Sequence, residues 1–309
     1  MPGWMGSAGM AGIRLPSARA MRQVFRMNRR TALATIASGT VFSAVAEDAP
    51  YRIKNGRIKQ SVVPWCFNPM PVEELAKHAA AMGLGSVELC DPKHWPMLKE
   101  LGMTCAIAGS HGFGTGFAHR EEWAECHKVL RERIGQCAAA GVGRVITFSG
   151  FRRGISDEEG IKNMVAGLKE IVGFAEEKKV TLCVEMLNTR DAAQMKGHPD
   201  YFCDDIERTV EICRQVGSVR CKVLFDLYHV QIMHGDVIRR IRQHRDYIAH
   251  VHTAGVPGRN EIGDSQELNY PPLMKALLET GYTGFVGQEF IPTGDKVASL
   301  AAGVRICDV

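Results

Sequence analysis

From residue 58 onward the chain repeats one pattern, in which a short run rich in β-branched residues is followed by a polar loop and an amphipathic segment. This alternation predicts βα units whose strands run parallel. The predicted strands are residues 59–66, 86–90, 104–108, 144–148, 180–185, 222–226, 248–252 and 285–289. Because eight such units follow one another without a linker or a change in composition, we expect one α/β domain folded as a single (β/α)8 barrel.

The boundaries of the helical segments support this reading. Ser156 is followed three residues later by Glu159, the pattern of a capping box, and Pro271 and Pro272 stand where prolines commonly begin a helix. The alternative fold is an open doubly wound sheet. Such a sheet usually carries a glycine-rich phosphate turn after its first strand, whereas this chain has Phe67-Asn68-Pro69-Met70-Pro71 there.

The amino-terminal segment has the features of an export signal. Arg29 and Arg30 precede a moderately apolar run that ends in Ala44-Val45-Ala46, a small-residue cleavage pattern. We therefore predict a twin-arginine-type signal at residues 1–46, a barrel domain at 47–309, and a periplasmic or other extracytoplasmic location. The alternative is an extension that is not a signal, with a cytoplasmic location and Met27 as the start. The apolar run is too short for a membrane span, so we expect no stable membrane insertion.

Charge and cysteine content exclude several classes of protein. The net charge is +4, but residues 1–46 hold six arginines and no acid, and the remainder carries 32 basic against 34 acidic residues. A body with a net charge of −2 disfavours nucleic acid as a partner. Ten cysteines are present, none with CxxC spacing and most inside apolar runs, so we expect small buried side chains rather than disulfides or a structural zinc cluster.

Four consecutive predicted strands end in residues that bind metals: Glu185, Asp226, His252 and Glu289. The carboxyl ends of the strands of a barrel lie at one face, so these side chains should converge. A lone buried acid costs several kcal/mol, and a divalent cation could satisfy three carboxylates and an imidazole together. The donor set favours Mg²⁺ or Mn²⁺ over Co²⁺ or Zn²⁺.

These residues lie in segments that resemble the metal and catalytic motifs of the xylose-isomerase-like barrels. The resemblance lies in Glu185, Asp226-Leu227-Tyr228-His229, residues 250–255 and Gly287-Gln288-Glu289-Phe290. Within that superfamily the chain is most similar to hydroxypyruvate isomerases, which have stretches like those at residues 254–261, 268–271 and 281–282. The similarity covers most of residues 58–292 and is most specific from residue 180 onward.

The resemblance implies a metal-dependent isomerase that interconverts hydroxypyruvate and tartronate semialdehyde through an enediolate. Glu185 and Glu289 would then act as acid and base as well as metal ligands. For substrate binding we expect His229, three residues past Asp226, and Arg259, whose planar guanidinium could contact a substrate carboxylate. Glu88, at the end of the second predicted strand, is a further candidate, because related sugar enzymes use such positions.

Other functions remain open. Hydroxypyruvate isomerases often carry Gln at the position of His252, where the related ketose 3-epimerases carry His, so a ketose 3-epimerase or another small-sugar isomerase is the first alternative. The three-zinc apurinic endonucleases share the barrel but need an Asp-x-His where this chain has Gly258-Arg259-Asn260. A non-catalytic barrel that binds a sugar is the third alternative, and a homo-oligomer is compatible with all of them. His111 and His198 receive no role from the sequence.

Overall fold

Short parallel strands form the inner layer of the fold. The computed structural model describes residues 51–309, and within them seven parallel strands form one curled sheet in the order β2-β1-β7-β6-β5-β4-β3. The strands are β1 (Lys59–Val62), β2 (Ser86–Val87), β3 (Arg144–Thr147), β4 (Thr181–Glu185), β5 (Cys221–Asp226), β6 (Ile248–Thr253) and β7 (Phe285–Gln288). The predicted barrel is confirmed, except that the segment at residues 104–108 is irregular.

The prediction of a regular strand at residues 104–108 is wrong. The two ends of this segment form single parallel bridges, one with Ser86 of β2 and the other with Val145 of β3. Between them the Ala106 N–H donates to the Ser86 side-chain oxygen at 2.8 Å instead of to a strand carbonyl, which interrupts the ladder. Because the two bridges join the two edge strands, the segment still closes the sheet into a barrel.

Two other predicted strands end earlier than expected. β1 stops at Val62 because Pro64 begins a 3₁₀ turn, Pro64–Phe67. β2 is two residues long, and Leu89 beyond it adopts a φ of 53°, which lies in the left-handed region and ends an extended segment.

Helices surround the sheet: α1 (Val72–Met82), α2 (Trp95–Glu100), α3 (Trp123–Ala140), α4 (Asp157–Glu177), α5 (Ile206–Val216), α6 (Leu227–Met233), α7 (Val237–Gln243), α8 (Tyr270–Glu279) and α9 (Lys296–Cys307). The predicted helix start at Ser156 is confirmed, since its Oγ accepts the Glu159 N–H at 3.1 Å. α8 begins one residue before the predicted Pro271. Within residues 51–309 no helix is both long enough and apolar enough to cross a membrane.

The core lies between the sheet and the helices, and it includes the cysteines. All ten are buried and none is in a disulfide, as the sequence predicts.

The two ends of the barrel domain are joined by Asp308, whose carboxylate accepts hydrogen bonds from the Tyr51 hydroxyl and from the backbone N–H groups of Lys54, Asn55 and Gly56. The signal predicted at residues 1–46 lies outside the described residues.

Candidate metal and substrate site

The four predicted metal ligands lie together at the carboxyl ends of neighbouring strands. Glu185 and Asp226 are the last residues of β4 and β5, His252 lies one residue before the end of β6, and Glu289 follows β7 directly. Each offers one ligand atom such that all four atoms lie within 4.8 Å of one another. All four side chains are at least 95% buried. We call these residues the strand-end cluster.

The strand-end cluster buries three carboxyl groups close together, so ionising all of them would create an excess of buried negative charge. Burial, with the nearby Glu289 charge, raises the pKa of Asp226 to about 7. Burial likewise raises the pKa of Glu185. Glu289 is the opposite case: burial raises its pKa, but the positive charges of His252 and Arg259 outweigh burial and lower it. Two of three carboxyl groups therefore resist ionisation unless more positive charge is supplied.

Two unpartnered atoms indicate where such a charge fits. Among the described residues, Asp226 Oδ2 and His252 Nδ1 are buried without a hydrogen-bond partner. His252 Nδ1 nevertheless lies 2.8 Å from Glu289 Oε2 and 3.8 Å from Glu185 Oε1, so either a proton or a cation must separate it from these oxygens. Three carboxylate oxygens and one imidazole nitrogen suit a divalent cation, and the residues present therefore fit a metal. The donor set does not identify the ion.

Glu88 lies beneath His252 and fixes its orientation. Glu88 Oε1 accepts hydrogen bonds from His252 Nε2 at 2.7 Å and from His250 Nε2 at 2.9 Å, and Ser61 donates to the other oxygen. Burial raises the pKa of Glu88, but the two imidazoles outweigh it and lower the pKa to about 2. An ionised carboxylate only accepts, so Nε2 of His252 carries the proton and Nδ1 is left to bind a cation.

Glycine is required next to this contact. A Cβ at Gly287 would come within 2.3 Å of Glu88 Oε1 and 2.9 Å of the His252 ring, so any larger residue would displace the pair. Glu88 itself is fully buried and does not line the cavity of the site. The structure thus places it behind a candidate metal ligand, His252, which differs from the substrate contact expected from the sequence.

The cavity above the strand-end cluster has a volume of about 190 Å³. Aromatic and aliphatic side chains form much of its wall, and Glu185, Glu289, Arg259, Ser110, His111 and His198 provide polar groups. This volume is well below the roughly 300–1,000 Å³ of sites for drug-sized ligands, so the cavity suits a small molecule.

Arg259 lies in the loop after β6 and reaches both the cavity and the strand-end cluster. Its Nη2 donates to Glu289 Oε2 at 2.7 Å and lies 3.6 Å from Asp226 Oδ2, and its Nη1 donates to Met195 O at 2.7 Å. The guanidinium also packs over the Trp65 ring at 5.1 Å. Its Nε–H is buried without a partner among residues 51–309, while other atoms of the side chain line the cavity. The sequence predicted the guanidinium but not its contact with Glu289.

His229 is placed by the start of α6. Asp226 Oδ1 accepts the Tyr228 N–H at 2.8 Å, which caps the helix and brings His229 to the same end of the barrel. The backbone N–H of Asn188 donates to His229 Nδ1 at 3.0 Å, so the ring proton is on Nε2. Nε2 lies 3.6 Å from Asp226 Oδ2. Burial and the Arg259 charge lower the pKa of His229 well below its usual value, so the ring is neutral.

Two histidines that the sequence left without a role also line the cavity. The His111 ring is hydrogen-bonded to the protein, since its Nε2 lies 2.9 Å from Thr147 Oγ1. His198 packs against Phe113 with a ring-centroid distance of 4.2 Å. The only sequence signal for either residue is its place in a loop after a predicted strand, on the face where barrel enzymes hold their sites.

The chain resembles proteins of known description. The family model described as the xylose isomerase-like TIM barrel matches residues 76–306. Hydroxypyruvate isomerase of Escherichia coli is 28% identical over 203 residues, which are 65% of this chain and 70% of that protein. The 2-oxo-tetronate isomerase of Cupriavidus necator is 40% identical over 121 residues, 39% of this chain and 44% of that protein. A solved structure from Brucella melitensis, described as AP endonuclease, family 2, has a TM-score of 0.71 and 27% identity, and the match covers 79% of this chain and 97% of that chain.

Proposed function

This chain belongs to the xylose isomerase-like TIM-barrel family, and we propose that it is a metal-dependent isomerase that interconverts hydroxypyruvate and tartronate semialdehyde. The observation that carries the proposal is Arg259: a buried guanidinium that contacts the strand-end cluster and also lines the cavity. Its positive charge can pair there with a substrate carboxylate through charge-assisted hydrogen bonds. A neutral sugar would supply only a weaker hydroxyl acceptor.

The size of the cavity and the names of relatives support the same substrate class. A cavity of about 190 Å³ suits an acid of three or four carbons. The E. coli relative is named for hydroxypyruvate and the C. necator relative for 2-oxo-tetronate, and both compounds are short 2-oxo acids that carry hydroxyl groups.

The strand-end cluster would hold one divalent cation, with Mg²⁺ or Mn²⁺ favoured. When bound, such an ion lowers the cost of the negative charge that develops on the oxygens of the substrate. His229 is fully buried and does not line the cavity, which differs from the substrate contact expected from the sequence. Its Nε2–H lies 3.6 Å from Asp226 Oδ2 and would hold that carboxylate in place for the cation.

Glu289 and Glu185 are proposed to move the proton. Glu289, kept ionised by Arg259 and by the cation that the cluster would hold, accepts the proton from C3 of hydroxypyruvate, and Glu185, whose pKa is raised by burial, returns a proton to C2. The C3 hydroxyl proton moves to the oxygen on C2, so the ketone becomes an alcohol and C3 becomes an aldehyde. Exchange of a proton between the two carboxyl groups restores the starting state.

The test is proton exchange followed by NMR. Protein loaded with Mg²⁺ and containing no Mn²⁺ is incubated in D₂O with hydroxypyruvate. Deuterium should enter at C2 of tartronate semialdehyde and at C3 of hydroxypyruvate. A Glu100→Gln variant, which alters an exposed acid at the end of α2, is the matched control for Glu289→Gln. If the loaded protein ignores hydroxypyruvate and epimerises a neutral ketose, a ketose 3-epimerase replaces this proposal.

A further inference from the structure

The segment between β4 and α5 forms part of the cavity wall, and hydrogen bonds within the segment fix its shape. Asn188 Nδ2 donates to Lys196 O at 2.7 Å, and the His198 N–H donates to Asn188 O at 2.7 Å. Gly197 lies inside this turn, where a Cβ would come within 2.2 Å of Asp191 O. We call residues 188–198 the wall turn. Its internal bonds determine where the His198 side chain begins.

The wall turn also contacts two residues of the proposed site. Met195 O accepts a hydrogen bond from Arg259 Nη1 at 2.7 Å. The backbone N–H of Asn188 donates to His229 Nδ1 at 3.0 Å. One short segment therefore holds Arg259 and His229 and carries His198 into the same cavity.

The ring of His198 is fixed in place but is not hydrogen-bonded to the protein. It is 93% buried, packs on Phe113 and lies 6.4 Å from the His229 ring between centroids. Among the described residues, no group makes a hydrogen bond with either nitrogen of its ring, whereas His111 in the same cavity is bonded to Thr147. A polar side chain held in a small cavity without a protein partner is available to a ligand.

The ring of His198 is uncharged and can donate one hydrogen bond. Burial and the positive charge of Arg259 lower the pKa of His198 to about 4, so the ring is neutral at physiological pH and has one N–H. Both side chains line the same cavity, and Arg259 donates to Met195 O of the wall turn that carries His198, so one anionic group in the cavity could meet both.

We propose that His198 is a substrate-recognition residue that hydrogen-bonds, together with Arg259, the carboxylate of a short hydroxy acid in this cavity. The inference rests on the proposed function, because it assigns the acidic end of the same substrate. A carboxylate in this cavity would pair with the charge of the Arg259 guanidinium and accept the His198 N–H, and hydrogen bonds to an ionised acceptor are stronger than those to a hydroxyl.

Kinetics of His198 variants test the assignment. His198→Ala should raise KM for hydroxypyruvate about 10-fold or more while kcat changes much less, because a carboxylate contact exists in ground and transition states alike. His198→Gln, whose amide N–H can donate, should restore part of the loss. His78→Ala, at a partly exposed position on α1, is the matched control and should leave KM unchanged. Melting temperatures of the variants show whether each one folds.

Binding of an unreactive acid separates this inference from the proposed reaction. Calorimetry on the Mn²⁺-loaded protein compares glycerate, which has a carboxylate but no carbonyl, with glycerol. Wild type should prefer glycerate, and His198→Ala should lose most of that preference. If wild type does not isomerise hydroxypyruvate but binds glycerate through His198, the recognition role stands and the reaction fails. If hydroxypyruvate turns over and His198→Ala changes neither KM nor glycerate affinity, the recognition role is overturned.

Discussion

Replacing Glu88 by Gln should weaken metal binding although Glu88 touches no metal in the proposed site. Gln has nearly the same shape, so the packing against Gly287 is retained while the negative charge beneath His252 is lost. That charge fixes the proton on His252 Nε2, 2.7 Å away, and makes Nδ1 a better donor to a cation. Losing such a carboxylate behind a ligating histidine typically costs about 10- to 100-fold in metal affinity, or about 1.4–2.8 kcal/mol.

The assay is calorimetric titration of metal-free protein with Mn²⁺. Ser61→Ala is the matched control, because Ser61 donates to the Glu88 oxygen that does not contact His252, and it should change affinity less than Glu88→Gln does. At saturating Mn²⁺ the kcat of Glu88→Gln should stay near that of wild type. An affinity for Mn²⁺ within about two-fold of wild type, well short of the usual loss, would refute the reasoning from the tautomer.

Three further predictions concern catalysis, stability and export. Glu289→Gln keeps the shape of the side chain but removes the proton acceptor, so kcat for hydroxypyruvate should fall about 100-fold or more in steady-state assays, and a smaller loss would move the base elsewhere. Burial raises the pKa of Asp308, but hydrogen bonds from three backbone N–H groups and Tyr51 outweigh it and lower the pKa. The stability that Asp308 contributes is therefore present above the ordinary carboxyl pKa of about 3.9 and lost as pH falls through the lowered pKa. Urea denaturation should show Asp308→Asn less stable by about 1–3 kcal/mol at pH 7, and the difference from wild type should shrink as pH falls below about 3.9; a difference that does not change with pH would contradict this. We also propose that residues 1–46 are removed on export, so mass spectrometry of the extracytoplasmic protein should find a start near Glu47, and an intact amino terminus in the cytoplasmic fraction would count against it.

The strand-end cluster could be located from the sequence because one rule governs it. Parallel strands of a barrel deliver their last residues to one face, so a charged residue after each of four apolar runs predicts convergence without any knowledge of loops. Reasoning from the apolar pattern failed for residues 104–108, which were predicted to form a regular strand. Its apolar pattern is that of a strand, but a side-chain oxygen, Ser86 Oγ, takes the Ala106 N–H, and a pattern of apolar residues carries no information on which acceptor an N–H finds.

The substrate side of the site depends on loops, and there the sequence could name residue types but not contacts. Arg259 adopts a φ of 59° within the loop after β6, a conformation that no residue pattern announces. His198 depends on a turn in which the Asn188 side chain donates to Lys196 O and Gly197 leaves room for Asp191 O, and a pattern of apolar and polar residues reveals neither contact. Glu88 was recognised as a strand-end residue, yet its partners come from β1 and β6, strands distant from it in sequence.

In the proposed reaction Arg259 links substrate binding to proton transfer. In the starting state Glu185 carries the proton that it later returns, so the two carboxylates of Asp226 and Glu289 face a divalent cation and one guanidinium. The one positive charge that remains would be neutralised by a substrate anion. The guanidinium can meet that anion without leaving Glu289, because it lines the cavity while its Nη2 contacts Glu289. A carboxylate paired with the guanidinium would therefore hold the acid end of the substrate at a fixed distance from the base. The Arg259→Lys variant would keep the positive charge but would lose the two donors that the guanidinium holds in one rigid plane. We therefore expect this variant to bind the acid more weakly and to orient Glu289 less well.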